Sequence, residues 1–171
     1  EAELVLANFT VNCKNHCKHK CEVVHFIAVH AKNDFTKLIN YPFFTFDNFV
    51  VGSTNRFAHA ASLAVAENAD IIYNPLTIYG PSGVGKTHLM LAIKNHIKKK
   101  FPEKKVEFVR GEDFTNQLIT ALQEGKLGLG TLDNFRNRFR NADVFLIDDI
   151  QFIAGKAQTQ EEVFNTFNAL Y

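Results

Sequence analysis

The residues best suited to chemistry are Gly80-Pro81-Ser82-Gly83-Val84-Gly85-Lys86-Thr87, a G-x-x-x-x-G-K-T run. Gly80, Gly83 and Gly85 let the backbone turn tightly and approach a ligand without side chains in the way. Successive N–H groups in such a loop, with the positive end of a following helix, form a cradle for phosphate oxygens. Ser82 and Val84 fall inside that cradle. In this chemistry Lys86 reaches the β- and γ-phosphates and the Thr87 hydroxyl is a ligand of Mg²⁺. The plainer alternative is a glycine turn before an ordinary lysine. It is disfavoured because the apolar run Leu76–Tyr79 precedes the loop and the helix-like Leu89-Met90-Leu91-Ala92-Ile93 follows it, the strand–loop–helix context of a Walker A motif.

A second group lies about sixty residues on, in Asp143-Val144-Phe145-Leu146-Ile147-Asp148-Asp149. Four consecutive apolar residues suit a strand buried on both faces of a parallel sheet. Two carboxylates at its end sit where α/β proteins bind ligands, beyond the carboxyl ends of strands. Asp148 is the candidate Mg²⁺ ligand, the Walker B role, and Asp149 the group that orients or deprotonates an attacking water. A strand-end turn that merely carries two acids is the competing reading. The phosphate loop upstream favours function, with Lys86, Asp148 and Asp149 as the catalytic set.

The elements that must position these groups come from a chain of 171 residues, enough for one domain with a real core. Hydrophobic residues at 46% and charged residues at 22% are those of a soluble globular protein, not a disordered or fibrous one. A net charge of +1 provides no global basic field, so any DNA contact is expected from a local patch or another part of the protein. No run is long enough for a membrane span and no signal-peptide pattern opens the chain. Glu1 stands where an initiator Met would, which suggests a piece of a longer protein. Three cysteines, an odd number, argue against a disulfide framework and leave the cytoplasm as the expected location.

Residues 1–40 differ in character from 41–171, where the domain proper is expected. Cys13, Cys17 and Cys21 would share one helix face, with His16 and His19 close by. No second pair completes a zinc pattern, and Lys14, Lys18 and Lys20 disfavour a cation, so unbound surface residues are the expectation. The aromatic run from Tyr41 ends at Gly52-Ser53-Thr54-Asn55, a turn and cap signal. A helix is expected over 56–67 with Phe57, Ala60, Ala61, Ala64 and Val65 inward. Leu89, Ala92, Ile93, His96 and Ile97 mark the amphipathic helix after the loop, with His88 and His96 solvated or at the core edge. Lys105–Val109 reads as a strand, 112–124 as a helix burying Phe114, Leu118, Ala121 and Leu122, and Gly125, Gly128 and Gly130 as a loop. Thr131 caps a short helix with Leu132, Phe135 and Phe139 inward, leaving Arg136, Arg138 and Arg140 as a solvated basic face. A last helix opens on the capping box Thr159-Gln160-Glu161-Glu162 and buries Val163, Phe164, Phe167 and Leu170.

Three stretches together resemble the DnaA family of bacterial replication initiators, which are AAA+ ATPases. These are Gly83-Val84-Gly85-Lys86-Thr87-His88-Leu89-Met90, Leu146-Ile147-Asp148-Asp149-Ile150-Gln151-Phe152 and the run from Gln158 to Leu170. Thr45-Phe46-Asp47-Asn48-Phe49-Val50-Val51-Gly52 is similar to the family's N-box, and the likeness runs from about residue 41 to the end. It implies an α/β P-loop NTPase of three αβα layers around a parallel sheet ordered 5-1-4-3-2, incomplete here at the C-terminus. It also implies an ATP- and Mg²⁺-dependent switch that assembles into oligomers on origin DNA and helps to open it, with slow ATPase activity. Adenine would lie against Phe49, Val50 and Val51, and Ile119, Lys156 and Gln158 would face single-stranded DNA.

Double-stranded origin DNA would be read by a helix-turn-helix outside these residues. Some relatives carry Arg at the place of Gln158, a common Gly is replaced by Ser82, and the stretch 125–131 is longer than in many members. Residues 1–40 do not resemble the family's N-terminal domain. Because strand four, sensor 1, the arginine finger and the lid lie outside the chain, the chain alone is expected to be poorly stable and inactive. A related AAA+ helicase loader or transposition ATPase is the alternative function, and a metal-binding N-terminal module the alternative from another class.

Overall fold

A computed structural model describes residues 43–67, 74–125 and 131–170. The expectations for residues 1–42, including Cys13, Cys17 and Cys21, and for Gly128 and Gly130 lie outside the described residues. The chain divides into two compact units, with the boundary between Lys104 and Lys105.

The first unit contains α1 (Arg56–Glu67) and α2 (Lys86–Lys100), which pack on each other. The 3.6-residue period places Leu89, Ala92, Ile93 and Ile97 on one face of α2, and all four are buried. On α1 the buried residues are Ala61, Ser62 and Ala66. The expected stripe is therefore turned: Phe57, predicted to face inward, is 79% exposed, because the helix meets its neighbour through small side chains. Lys100, in the last turn of α2, pairs with Glu67 at the end of α1. That ammonium holds the Glu67 carboxyl below the usual carboxylate range. Residues 76–80 join no β-ladder among the described residues, a correction to the strand expected there. Apolar character makes a strand only where a neighbouring strand supplies the N–H and C=O partners.

The second unit runs β1 (Val106–Arg110), α3 (Gly111–Gly125), α4 (Thr131–Arg140), β2 (Val144–Asp148), a 3₁₀ turn (Ile150–Ile153) and α5 (Ala157–Leu170). β1 and β2 pair in parallel, with Val106 opposite Val144 and Arg110 opposite Asp148. These are the second and third strands of the expected order, in which they are neighbours. Helix α3 follows β1 directly and returns across the unit. Its Phe114 and Leu118 anchor a core with Val109, Ala121, Phe135, Phe139, Ile153 and Val163. Val144 to Ile147 are half-buried rather than buried on both faces. In this two-stranded sheet only Phe145 and Ile147 of that run pack on the core.

Two local expectations change for one physical reason, a buried carboxylate, and two more for local reasons. Glu162 on α5 is almost fully buried and accepts from Arg136 Nη2 at 3.0 Å and from Arg140 Nη2 at 2.7 Å. Arg138 instead donates to Glu107 and Gln117. The arginines of α4 thus tie elements together and do not form a free basic face. Bonding to Glu162 also raises the Arg136 pKa above its ordinary value. With Glu162 drawn inward, α5 buries Thr159, Gln160, Glu162, Val163 and Thr166, so Phe164 turns outward. The helix already begins at Ala157, and Gln160 N donates to Lys156 O at 2.9 Å, which leaves no capping box at Thr159. Thr131, expected as a cap, is the first residue of α4 and donates its hydroxyl to Ala121 O at 3.0 Å. Glu162→Gln removes the charge that two guanidinium groups share, and is expected to lower stability by about 1–3 kcal/mol, read from the urea midpoint.

Candidate nucleotide-binding loop and acidic strand end

The phosphate-loop candidate lies in the first unit and runs straight into α2. Gly83 (φ +78°) and Gly85 (φ +96°) occupy left-handed backbone, which residues with a Cβ adopt only at a cost. At Gly85 there is a second restriction: a Cβ would lie 2.6 Å from Phe49 Cε2. Gly85→Ala is therefore expected to destabilise the protein by about 1–3 kcal/mol, measured by urea unfolding. Gly85 also caps α2, whose first turn carries no acidic side chain and whose N-terminus has no side-chain cap. First-turn N–H groups point out of a helix N-terminus, whose dipole favours an anion. Lys86 is only 5% exposed. Its ammonium lies back across the loop and donates to Gly80 O and Pro81 O, both at 2.7 Å. Ser82, Gly83 and Val84 are exposed and Thr87 is half-buried.

The aromatic segment before α1 is fastened to this helix. His88 Nε2 lies 2.8 Å from Thr45 O, and Asn95 Nδ2 donates to Phe44 O at 2.9 Å. The buried Phe49 stacks on His59 with centroids 5.7 Å apart and meets His88 edge-on at 5.2 Å. The next turn closes on itself: Gly52 N donates to Asn55 Oδ1 at 2.7 Å, and Asn55 Nδ2 donates to Val50 O at 3.0 Å. Val50 is consequently 85% exposed, and Val51 is exposed beside it. Phe49 is thus a supporting wall under Gly85, while the two valines present the free surface. Sequence reasoning missed His59, His88 and Asn95 as supports. The seven-residue spacing of His88 and Asn95, one helix face, was the available signal.

In the second unit β2 ends on the two acids. Asp148 is 5% exposed, stands in register with Arg110, and accepts from Asp149 N at 3.0 Å. Asp149 has φ 53° and ψ 43°, a left-handed geometry that Asp tolerates better than most residues. Gln151 Nε2 donates to Asp149 Oδ1 at 3.0 Å. A Cβ on Gly111 would stand 2.7 Å from Asp149 O, so the start of α3 leaves room for that turn. Arg110 is engaged with Asp113, Nε to Oδ2 at 2.7 Å and Nη2 to Oδ1 at 3.1 Å, which raises its pKa. Gln151 stood in the run that carries the family resemblance but was given no role, and Gly111 was not singled out. Of the residues implicated in DNA contact, Ile119 on α3 is 46% exposed, and Lys156 and Gln158 are exposed at the start of α5.

The Thr87 hydroxyl and the Asp148 carboxylate are hard oxygen donors. Among the described residues no group of three or more His, Cys, Asp or Glu side chains could hold a metal. No helix of the described residues is long and apolar enough to cross a membrane.

Comparison with known proteins adds the family. The model of the bacterial DnaA ATPase domain matches residues 40–171. The chromosomal replication initiator protein DnaA of Deinococcus deserti is 56% identical over 138 residues, 81% of this chain and 29% of that protein. The chain thus spans under a third of the length of that curated relative. Domain III of the Thermotoga maritima replication initiation protein DnaA superposes with a TM-score of 0.71 at 45% identity, over 76% of this chain and 52% of that one. A replication initiator DnaA bound to AMPPCP and single-stranded DNA gives a TM-score of 0.71 at 40% identity, over 77% and 39%. With its G-x-x-x-x-G-K-T loop, its parallel β1–β2 pair and its Asp148-Asp149 strand end, the chain belongs to the bacterial DnaA ATPase domain family.

Proposed function

We propose that this chain binds ATP with Mg²⁺ and is the nucleotide switch of a DNA replication initiator that assembles on origin DNA and helps to open it. The observation that carries the reading is Lys86, a buried ammonium held over a loop of left-handed glycines at a helix N-terminus without a side-chain cap. Gly80, Ser82, Gly83, Val84 and Gly85 supply the cradle, and Val50 and Val51 the apolar surface for adenine, backed by Phe49. Thr87 and Asp148 would each offer an oxygen ligand to Mg²⁺, which would neutralise phosphate charge. The AMPPCP-bound relative supports the nucleotide class, since AMPPCP is an unreactive analogue of ATP. Family membership selects the initiator over the related loader or transposition ATPase.

Hydrolysis is slow and runs through Asp149. The oxygen of water forms a bond to the γ-phosphorus as the bond from phosphorus to the β–γ bridging oxygen breaks. The electron pair stays on the bridging oxygen, now part of ADP, and the proton taken up by Asp149 passes on to the released phosphate. Ile119, Lys156 and Gln158 meet single-stranded DNA. The relative bound to such DNA supports this reading, and a neutral Gln158 leaves Lys156 as the cation of the three. Duplex origin DNA is read by another part of the full-length protein, which forms ATP-dependent oligomers in the cytoplasm.

Calorimetry on the full-length protein tests the switch. AMPPCP is expected to bind more tightly with Mg²⁺ than without, and Asp148→Asn to lose most of that gain, about tenfold. Single-stranded DNA binding, followed by fluorescence anisotropy, is expected only with nucleotide bound. Equal DNA affinity with and without AMPPCP would refute the switch.

A further inference from the structure

Gln151 is a polar residue that the reading above does not use. It lies in the 3₁₀ turn, two residues beyond Asp149, and its side-chain amide donates to Asp149 Oδ1 at 3.0 Å. A carboxylate only accepts, so the amide nitrogen and not its oxygen must face it. Asp149 Oδ2 accepts no hydrogen bond among the described residues. The backbone beneath is held as well. Asp149 N donates to Asp148 Oδ1 at 3.0 Å, and Phe152 N donates to Asp149 O at 3.0 Å. The same carbonyl oxygen lies where a Cβ on Gly111 would intrude. A carboxylate in left-handed backbone, with one oxygen fixed and the other open, has a defined direction in which to accept a proton.

We infer that Gln151 is a positioning residue for hydrolysis: it locks Asp149 Oδ1 and leaves Oδ2 as the acceptor for the attacking water. The inference rests on the hydrolytic role proposed above for Asp149. Gln151 touches neither water nor nucleotide in this scheme, and acts through the orientation of Asp149 alone. Removing its N–H leaves the carboxylate free to rotate about its side-chain torsions, which lowers the fraction of bound ATP in a reactive arrangement. Nucleotide affinity is untouched, because the loss falls on the chemical step.

The test is single-turnover hydrolysis of bound ATP by the full-length protein, with AMPPCP affinity from calorimetry alongside. Gln151→Met keeps the length of the side chain without a donor, and Gln151→Glu keeps its shape but replaces the donor with an acceptor. Both are expected to lower the rate constant by about tenfold or more. For Gln151→Met the AMPPCP Kd should stay within about twofold of the starting protein; Gln151→Glu sets a second negative charge against Asp149 and is read on its rate constant alone. A packing role alone predicts a wild-type rate for Gln151→Met, which keeps the length of the side chain. A wild-type rate in both variants, or for Gln151→Met a slower rate matched by an equal loss of AMPPCP affinity, would overturn the inference and leave the proposed function intact. An unmodified protein that binds ATP and never cleaves it would overturn the hydrolytic role of Asp149, and this inference with it.

Discussion

Lys86→Ala in the full-length protein is expected to lower ATP affinity at least about a hundredfold, the largest binding effect of any single change in the loop. A hydrogen bond to a charged group contributes about 1.5–3 kcal/mol, and an ammonium between two phosphate groups makes more than one, so about 3 kcal/mol or more is lost. The structure adds a reason for the size of the effect. Lys86 is buried and already held at the loop by Gly80 O and Pro81 O, so little side-chain freedom remains to be lost when phosphate arrives. Lys86→Arg keeps the charge but substitutes a planar fork for a compact ammonium, and is expected to recover only part of the affinity. Calorimetry with AMPPCP decides, and unchanged affinity in Lys86→Ala would remove the loop from the site.

The largest stability effect is expected at Phe114. Its ring is fully buried in the second unit, 5.0 Å from the rings of both Phe135 and Phe139 and 6.2 Å from that of Phe145. One side chain thus joins α3 to α4 and to β2, the strand that ends on Asp148. Phe114→Ala deletes the ring and leaves a cavity that three rigid aromatic neighbours cannot collapse to fill, for a loss of about 3–5 kcal/mol. Phe114→Leu should fall in between. Urea unfolding measures both. A loss below that expected for Glu162→Gln would mean that the buried ion pair, and not the aromatic cluster, holds this unit.

The sequence by itself determined whatever depends on residues close together along the chain. Glycines before Lys86-Thr87 and the 3.6-residue period of Leu89, Ala92, Ile93 and Ile97 are local signals, and the loop and α2 formed as they indicate. The strand pair 106–110 and 144–148 was equally legible, because a short apolar run bounded by polar residues and leading to a helix or turn has few other uses.

Tertiary structure decided which face of each helix turned inward and which apolar run found a neighbour. Phe57 and Phe164 look like core residues from their type alone. Small residues on α1, and the capture of Glu162 by Arg136 and Arg140 across 26 and 22 positions, turned them out. Leu76–Tyr79 had strand composition, but a ladder needs a second strand, which no local pattern can supply. At Asp149 the long-range part is the approach of Gly111, 38 positions away, whose lack of a Cβ leaves room for the left-handed turn that brings Gln151 to the carboxylate. Local chemistry is written in residue types; which groups finally meet is set by long-range packing, whose energy depends on every element being in place at once.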